Sequence, residues 1–195
     1  MWGNDEFNFC EVFANENNAG GIVTVWDTES FVVNQKHLGN RWILLEGQLR
    51  FNMLDCCVGV IYNPNDRVGR TLIFEEIKNM VLTINKPILL LGDFNTILHP
   101  DERVGSFRCE ASMRDFRDWV NELGLIDIPL QGIRFTWRRN DSKSKLDRSF
   151  CCNEWLGKFP NLTLVGQKRS VSDHNPLVLS LDPVINWGPK PFSNL

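Results

Sequence analysis

The sequence predicts an α/β sandwich, in which two packed sheets carry helices on their outer faces. Strand-like runs form one set before and one set after a central apolar strand, and an amphipathic helix stands on each side of that strand. The central strand, Ile88 to Leu91, has four aliphatic residues between Pro87 and Gly92, which is typical of burial on both faces. At 195 residues the chain is long enough for one such domain and short for two.

The first set of strands is predicted from short apolar runs that alternate with turn residues. These runs are Ile22 to Trp26, Phe31 to Val33, Arg41 to Leu49 and Cys56 to Tyr62. Their short separation is typical of an antiparallel meander rather than of βαβ units. Residues 1–18 are expected to be an irregular N-terminal segment, with Phe9 to Phe13 as a candidate short strand.

Both helices are predicted from apolar residues that recur at helical spacing. The first follows Asn65 or Asp66, either of which is a suitable N-cap, and it leads into the central strand. The second begins at about Ser112 and ends at Gly124, a residue that suits the C′ position.

The second set of strands is predicted from four further apolar runs. These are Ile133 to Trp137, Lys145 to Cys152, Leu162 to Val165 and Pro176 to Leu181. A short helical turn is expected from Asn153 to Phe159. Residues 19–182 are therefore predicted to form the domain, and residues 183–195 an unpacked tail.

Composition and charge exclude several classes of protein. A net charge of −3 and a pI near 5.6 argue against coating nucleic acid by bulk charge, although a local basic patch is still compatible with them. No apolar run reaches the ~18 residues of a membrane span, and the N-terminus lacks the pattern of a signal peptide. We therefore expect an intracellular protein, nuclear or cytoplasmic, that is neither secreted nor bound to a membrane. The six cysteines are expected to be reduced and mostly buried.

Polar residues come directly after the central strand. Asp93 and Asn95 stand two residues apart, so in an extended segment both side chains leave from the same face. A carboxylate beside an amide suits Mg²⁺, or a phosphate held through Mg²⁺, better than it suits a soft metal. The alternative is that Asp93 only starts a turn and caps the next segment of the chain.

Three more residues that could take part in chemistry stand at the ends of other strands. Tyr62 ends a strand, and its alternative role is that of a half-buried edge tyrosine. Asp147 lies in a basic stretch, where an ion pair with Arg148 or Lys145 is the alternative. His174 precedes the last strand, so a carboxylate from another strand could hold its far nitrogen across the sheet mouth. The alternative is a turn histidine that bonds only to backbone.

Four motifs together resemble, in order and spacing, the endonuclease/exonuclease/phosphatase superfamily, and above all the endonuclease domain of plant LINE-type (non-LTR) retrotransposons. The motifs are Val60-Ile61-Tyr62-Asn63-Pro64, Gly92-Asp93-Phe94-Asn95, Lys145-Leu146-Asp147-Arg148 and Ser172-Asp173-His174-Asn175-Pro176-Leu177. The resemblance spans roughly residues 19–182. It implies a four-layer α/β sandwich that cuts the phosphodiester bonds of DNA with Mg²⁺ or Mn²⁺ and without an organic cofactor.

The resemblance also implies a role for each matching residue. His174 would bind the scissile phosphate and would be oriented by Asp147. Asp93 would deprotonate or position the attacking water, Asn95 would hold the phosphate and the water, and Tyr62 would contact the phosphate. These roles agree with the needs of phosphoryl transfer, in which charge neutralisation and an in-line water matter more than covalent chemistry.

One departure from the family concerns the metal. Asp173 would be a metal ligand or a carboxylate that supports one, but the family's first strand–helix–strand unit, with its Asn and its metal-binding Glu, has no counterpart here. The resemblance therefore implies an N-terminally truncated domain with little Mg²⁺-dependent nicking and an exposed apolar sheet edge. A catalytically dead remnant that still binds nucleic acid or protein is the alternative, which nicking and binding assays would distinguish.

A basic hairpin is predicted directly before Asp147. It contains Arg138, Arg139, Lys143 and Lys145 against one acid in a chain that is acidic as a whole. In the retrotransposon endonucleases that the chain resembles, the matching hairpin reaches into DNA. We therefore predict that these four residues bind nucleic acid, with a solvated turn as the alternative.

Overall fold

A computed structural model of the chain describes residues 7–13, 20–105 and 110–181. The predicted fold class is confirmed, because the chain forms a mixed α/β structure in which several sheets are flanked by helices. Within these ranges, no helix combines the length and the hydrophobicity that a membrane span requires.

The predicted elements occur in the order that the sequence patterns indicate, and the structure adds short strands that those patterns did not predict. The strands are Phe7–Phe13 (β1), Gly21–Asp27 (β2), Phe31–Leu38 (β3), Trp42–Leu49 (β4), Leu54–Tyr62 (β5), Ile88–Asp93 (β6), Arg103–Val104 (β7), Ile126–Asp127 (β8), Leu130–Gln131 (β9), Trp137–Arg139 (β10), Ser142–Ser144 (β11), Asp147–Cys151 (β12), Thr163–Gly166 (β13) and Leu177–Ser180 (β14). The helices are Arg67–Thr83 (α1), Glu110–Glu122 (α2) and Asn153–Lys158 (α3), and a 3₁₀ turn spans Pro100–Glu102.

A six-stranded sheet with the order β3-β4-β5-β6-β12-β8 is the centre of the fold. β5 and β6 run parallel, and the other neighbours run antiparallel. Ile88 and Leu90 face one core and Leu89 faces the other, so the prediction that the central strand is buried on both faces is confirmed. Full burial of each such side chain contributes about 1.5–3 kcal/mol.

Helices α1 and α2 cover one face of this sheet. Phe74, Phe116 and Trp119 stack against one another, and the Trp119 indole N–H donates to the Phe74 carbonyl at 2.8 Å. Asp66 is the N-cap of α1, and its side chain accepts the Gly69 N–H at 2.7 Å. Gly124, at φ +58°, follows α2 in the left-handed conformation that the sequence predicts for it.

The opposite face carries a two-stranded ribbon, β1-β2, and a three-stranded sheet, β14-β13-β9, together with α3. The ribbon buries Cys10, Ile22 and Trp26 against the large sheet. The exposed apolar residues of the ribbon do not form the expected exposed apolar edge of the main sheet. They lie instead on the outer face of this ribbon. These residues, between 47% and 65% exposed, are Phe7, Phe9, Phe13, Val23 and Val25.

The candidate strand at Phe9 to Phe13 is confirmed, because β1 pairs with β2 over its whole length and buries Cys10 on its inner side. One prediction about local structure needs correction. The segment from Ile133 to Thr136 is not a strand. Gly132 turns the chain at φ +82°. The backbone of Thr136 then bonds to Ser144 on one side and to Asn175 on the other, so this segment does not form a continuous strand pairing. The predicted tail, 183–195, lies outside the described residues.

The cysteines agree with the expected reduced state. The five within the described ranges are free, and four of them are buried: Cys10, Cys56, Cys57 and Cys151. Burial raises the pKa of the Cys56 and Cys151 thiols to about 11 and that of Cys57 to about 12. These thiols therefore pack as small apolar side chains.

Candidate active site

Three strand ends meet at one edge of the six-stranded sheet. Tyr62 at the end of β5 pairs with Asp93 at the end of β6, and Asp93 pairs with Asp147 at the start of β12. A cleft of about 800 Å³ opens at this point. All six residues that were predicted for catalysis or metal binding line it: Tyr62, Asp93, Asn95, Asp147, Asp173 and His174. The fold therefore brings together residues that are far apart in the sequence.

His174 and Asp147 form a hydrogen-bonded pair in this cleft. The imidazole Nδ1 lies 2.8 Å from the Asp147 Oδ2, and both side chains are half-buried. This bond is the main reason why the pKa of His174 is raised above its usual range, with the charges of Asp93 and Asp173 adding to it. Because Nδ1 is engaged, Nε2 is the nitrogen that is free to meet a ligand.

The two cations beside Asp147 in the sequence bind other carboxylates. The Arg148 guanidinium is buried and pairs with Glu102 and with Asp127, the latter at 2.5 Å. Lys145 Nζ lies 2.9 Å from Asp127 and 3.9 Å from Glu102. The alternative in which Asp147 serves only as an ion-pair partner of Arg148 or Lys145 therefore has no support in these contacts.

Asp93 and Asn95 are joined by a tight turn. Asp93 Oδ1 accepts the Asn95 N–H at 2.9 Å, so Asp93 does start a turn, and Asn95 takes a left-handed φ of +50°. The Asn95 amide group donates to Asp93 Oδ2 at 3.0 Å and to the Asn63 carbonyl at 2.7 Å. Because both amide hydrogens are used, the amide oxygen of Asn95 is left for a ligand.

The environment of Asp93 opposes its ionisation. Burial, and then the charge of Asp147, raise the pKa of Asp93 to about 6. Ligand atoms of Asp93, Asp147 and His174 all lie within 4.8 Å of one another. Two neighbouring carboxylates with an unfavourable mutual charge fit a hard divalent cation, which would relieve that repulsion.

Asp173 and Tyr62 stand at the rim of this cluster. The exposed Asp173 accepts the indole N–H of Trp137 at 2.9 Å, and it is not part of the close cluster around Asp147. The Tyr62 ring is half-buried and carries the Arg41 guanidinium over its face, 5.2 Å from the ring centroid.

The predicted hairpin is formed by β10 and β11, with its turn at Asn140. Arg138 and Arg139 are exposed, Lys143 is half-buried, and Arg139 also lines the cleft. Lys145 differs from the other three, since its side chain is 13% exposed and is held by Asp127. Its charge is therefore engaged within the protein.

The cleft wall also contains residues that were not predicted to be functional. Trp137 was included only as part of a strand, and Arg70, Arg103 and Ser112 were not singled out. The Arg70 guanidinium donates to Ser112 Oγ at 2.8 Å. Only Trp137 had a signal in the sequence, as an aromatic residue next to the basic hairpin.

Solved structures share this fold. One is the endonuclease domain of TRAS1, a telomere-specific non-LTR retrotransposon, with a TM-score of 0.68 and 16% identity over 90% of this chain and 80% of that one. A second is the 3′ phosphatase NExo from Neisseria bound to a product DNA hairpin, with a TM-score of 0.66 and 15% identity over 91% and 80% of the two chains. A third is an AP endonuclease from Archaeoglobus fulgidus, with a TM-score of 0.63 and 14% identity over 90% and 88%.

These likenesses show a common fold at low sequence identity. No curated protein matches the chain. The family model described as Endonuclease/Exonuclease/phosphatase family matches residues 3–174. The chain therefore belongs to the endonuclease/exonuclease/phosphatase family.

Proposed function

We propose that the chain is a metal-dependent phosphodiesterase that acts on DNA, with Mg²⁺ or Mn²⁺ as its metal. The observation that carries this proposal is the His174–Asp147 pair beside Asp93 and Asn95 in one open cleft. Phosphoryl transfer depends on positioning and on charge stabilisation, and this cleft offers an imidazole, an amide oxygen and carboxylates for both.

His174 is the proposed contact to the scissile phosphate. Its raised pKa extends the protonated imidazolium to higher pH than for an ordinary histidine, and its Nε2–H can donate to a phosphate oxygen. Asp147 fixes the orientation of the ring through Nδ1. The rim position of Tyr62 suits an additional phosphate contact.

Asp93 is the proposed acceptor of the proton from the attacking water. In the metal-free cleft the pKa of Asp93 is raised to about 6, so its carboxylate is still largely ionised at neutral pH and can accept a proton. A bound divalent cation would lower this pKa. Asn95 would hold the water or the phosphate with its amide oxygen. Asp93 and Asp147 would hold the metal, with Asp173 as a further candidate, and a bound cation supplies neutralisation of the charge on the phosphate.

DNA is the proposed substrate for two reasons. The exposed side chains of Arg138 and Arg139, with Lys143, place positive charge next to the cleft. Structures with the same fold include a retrotransposon endonuclease domain, an AP endonuclease and a phosphatase bound to a DNA product. We also propose that the chain derives from a plant LINE-type retrotransposon, on the basis of the four sequence motifs.

Turnover is expected to be slow, because the proposed metal site contains few carboxylates. Within the described ranges, the cleft is lined by Asp93, Asp147 and Asp173 and by no glutamate. Affinity for Mg²⁺ depends strongly on carboxylate ligands. The same observation favours a second candidate function, in which the domain binds nucleic acid without cutting it.

Nicking of supercoiled plasmid by the purified protein tests both functions. We expect weak nicking that rises with Mg²⁺ or Mn²⁺ concentration and disappears with chelator or in Asp93→Ala, whereas Asp118→Ala, an exposed residue of α2, serves as the matched control. DNA binding without nicking at any metal concentration supports the second function. A protein that neither binds nor nicks DNA would rule out both.

A further inference from the structure

Thr136 contacts the chain on both sides of the His174–Asp147 pair. Its hydroxyl oxygen accepts the backbone N–H groups of Leu146 and Asp147, each at 2.9 Å. Its own N–H donates to the Ser144 carbonyl at 3.0 Å, and its carbonyl accepts the Asn175 N–H at 2.7 Å. One residue therefore joins the start of β12 to the segment that carries His174.

The segment with His174 has little regular structure to hold it. The His174 N–H donates to the Ser172 side chain, and a single bridge pairs His174 with Trp137. The Arg138 N–H donates to the Asp173 carbonyl at 2.9 Å. The backbone of residues 173–175 is thus held by residues 136–138, and the Asn175 side chain also donates to the Gln167 carbonyl at 2.8 Å. Among residues 136–138, Thr136 is the one that also bonds to Asp147.

The hydroxyl of Thr136 occupies a site that few side chains can serve. Thr136 is 0% exposed, so no water can replace its oxygen without a rearrangement. A hydroxyl has two acceptor lone pairs, and here two N–H donors use them. Serine would keep both bonds, whereas valine has the same shape but would leave two buried N–H groups without an acceptor.

We propose that Thr136 is a positioning residue, which sets the distance between the Asp147 carboxylate and the His174 imidazole through its hydroxyl and its carbonyl. It is fully buried, so its effect on the cleft must pass through the segments that carry Asp147 and His174. The expected effect on hydrolysis rests on the proposed function. The positioning of the two side chains can be measured without turnover.

The test compares Thr136→Val with Thr136→Ser. The matched control is Thr24→Val, because the Thr24 hydroxyl is buried and has no hydrogen-bond partner within the described residues. The readouts are the downfield proton resonance of the His174 Nδ1–H, assigned by its loss in His174→Ala, and hydrogen exchange at the Leu146 and Asp147 amides. Plasmid nicking adds kcat and KM where turnover is measurable.

We expect Thr136→Val to lose the downfield resonance and to exchange the two amides at least about tenfold faster. Nicking should fall by about tenfold to a hundredfold in kcat with little change in KM, as misplaced catalytic groups produce. Thr136→Ser and Thr24→Val should match the wild type in every readout.

Two results would overturn the inference: a Thr136→Val protein that keeps the resonance, or a Thr136→Ser protein that loses it. If Thr136→Val does not fold, Thr136→Ala takes its place, and retention of the resonance there would be equally decisive. A wild type that shows the resonance and its loss in Thr136→Val, but no nicking, contradicts the proposed function and leaves the positioning role in place.

Discussion

Two histidine–carboxylate pairs stand at opposite ends of the six-stranded sheet. His37 Nε2 lies 2.6 Å from Glu46 Oε1. This pair lies near the start of β6, because Glu46 is opposite Cys57 in the sheet and Cys57 is opposite Ile88. The His174–Asp147 pair, at 2.8 Å, lies where β6 ends. The hydrogen bonds are nearly the same, so the surroundings must explain why only one pair belongs to a candidate active site.

The pairs differ in how their charge is compensated. Lys86 Nζ lies 2.8 Å from Glu46 Oε2, and hydrogen bonds from Lys86 and then from His37 lower the pKa of Glu46. At the other end, Asp93 and Asp173 add negative charge around His174. A histidine–carboxylate pair with excess negative charge in an open cleft can bind a cation. A pair whose charge is compensated by a neighbouring lysine instead stabilises the fold.

Removal of one carboxylate from each pair should have very different effects on hydrolysis. Asp147→Asn should reduce metal-dependent nicking by about a hundredfold or more, because it disturbs both the orientation of His174 and the proposed metal site. Glu46→Gln should leave nicking unchanged. Plasmid nicking under identical metal concentrations measures both, and an equal loss in the two variants would show that the comparison of the two ends is mistaken.

The basic hairpin should contribute to DNA binding at the end of the sheet that carries the His174–Asp147 pair. Replacement of Arg138, Arg139 and Lys143 with alanine should weaken binding and reduce the salt dependence by about 0.9 per lost phosphate contact, or about 2 to 3 units of slope. Fluorescence anisotropy with duplex DNA over a range of salt concentrations measures both quantities.

The matched control for this triple variant is Arg50, Arg114 and Arg117 changed to alanine, since these three side chains are exposed elsewhere on the protein. Lys145→Ala is a further test. Because the Lys145 side chain is paired with Asp127, this substitution should lower stability more than it weakens DNA binding. An unchanged affinity and slope in the hairpin variant, with an intact circular dichroism spectrum, would favour the solvated turn.

The third prediction is that Asp93 and Glu46 give stability opposite pH dependences. The pKa of Asp93 rises from 3.8 to about 6, so the native state binds more protons than the unfolded chain and loses stability as the pH rises through this window. Asp93→Asn should therefore stabilise the metal-free protein by about 3 kcal/mol at about pH 8 and have little effect near pH 4.

Glu46 should behave in the opposite sense, because its folded-state pKa lies below 4.5. Its contribution is fully present above that value and is lost as the pH falls through the folded-state pKa. Glu46→Gln should cost about 1 kcal/mol at neutral pH. Urea unfolding of both variants with chelator at several pH values measures these differences, and effects of the same sign would contradict the contrast.

Local patterns in the sequence predicted much of this architecture. The apolar run around Leu90, the N-cap at Asp66 and the C′ glycine at Gly124 depend on neighbours within a few residues, so their physical signals are visible in the chain itself. The strand-end placement of Asp93 followed from the same local signals, whereas Asp147 was predicted inside a strand from Lys145 to Cys152 and stands instead at the start of β12. The resemblance to the family then predicted which strand ends meet.

The partners of buried charges were less accessible to sequence analysis. Arg148 could have paired with its neighbour Asp147, but it is held by Glu102 and Asp127, which come from separate parts of the chain. The positioning role of Thr136 was not visible in the sequence either, since that role depends on two segments that meet only in the folded protein. Such contacts are set by tertiary packing, which local periodicity does not encode.

The reactivity of the buried thiols reports on the opening of the large sheet. Cys57 packs on the helix side of the large sheet, and Cys56 and Cys151 pack on the other side. With pKa values of about 11 to 12 and no solvent contact, they should react with an alkylating reagent only when the sheet opens. Alkylation rates at these three cysteines, measured by mass spectrometry, would therefore give the opening rate of each face of the sheet separately, without any engineered probe.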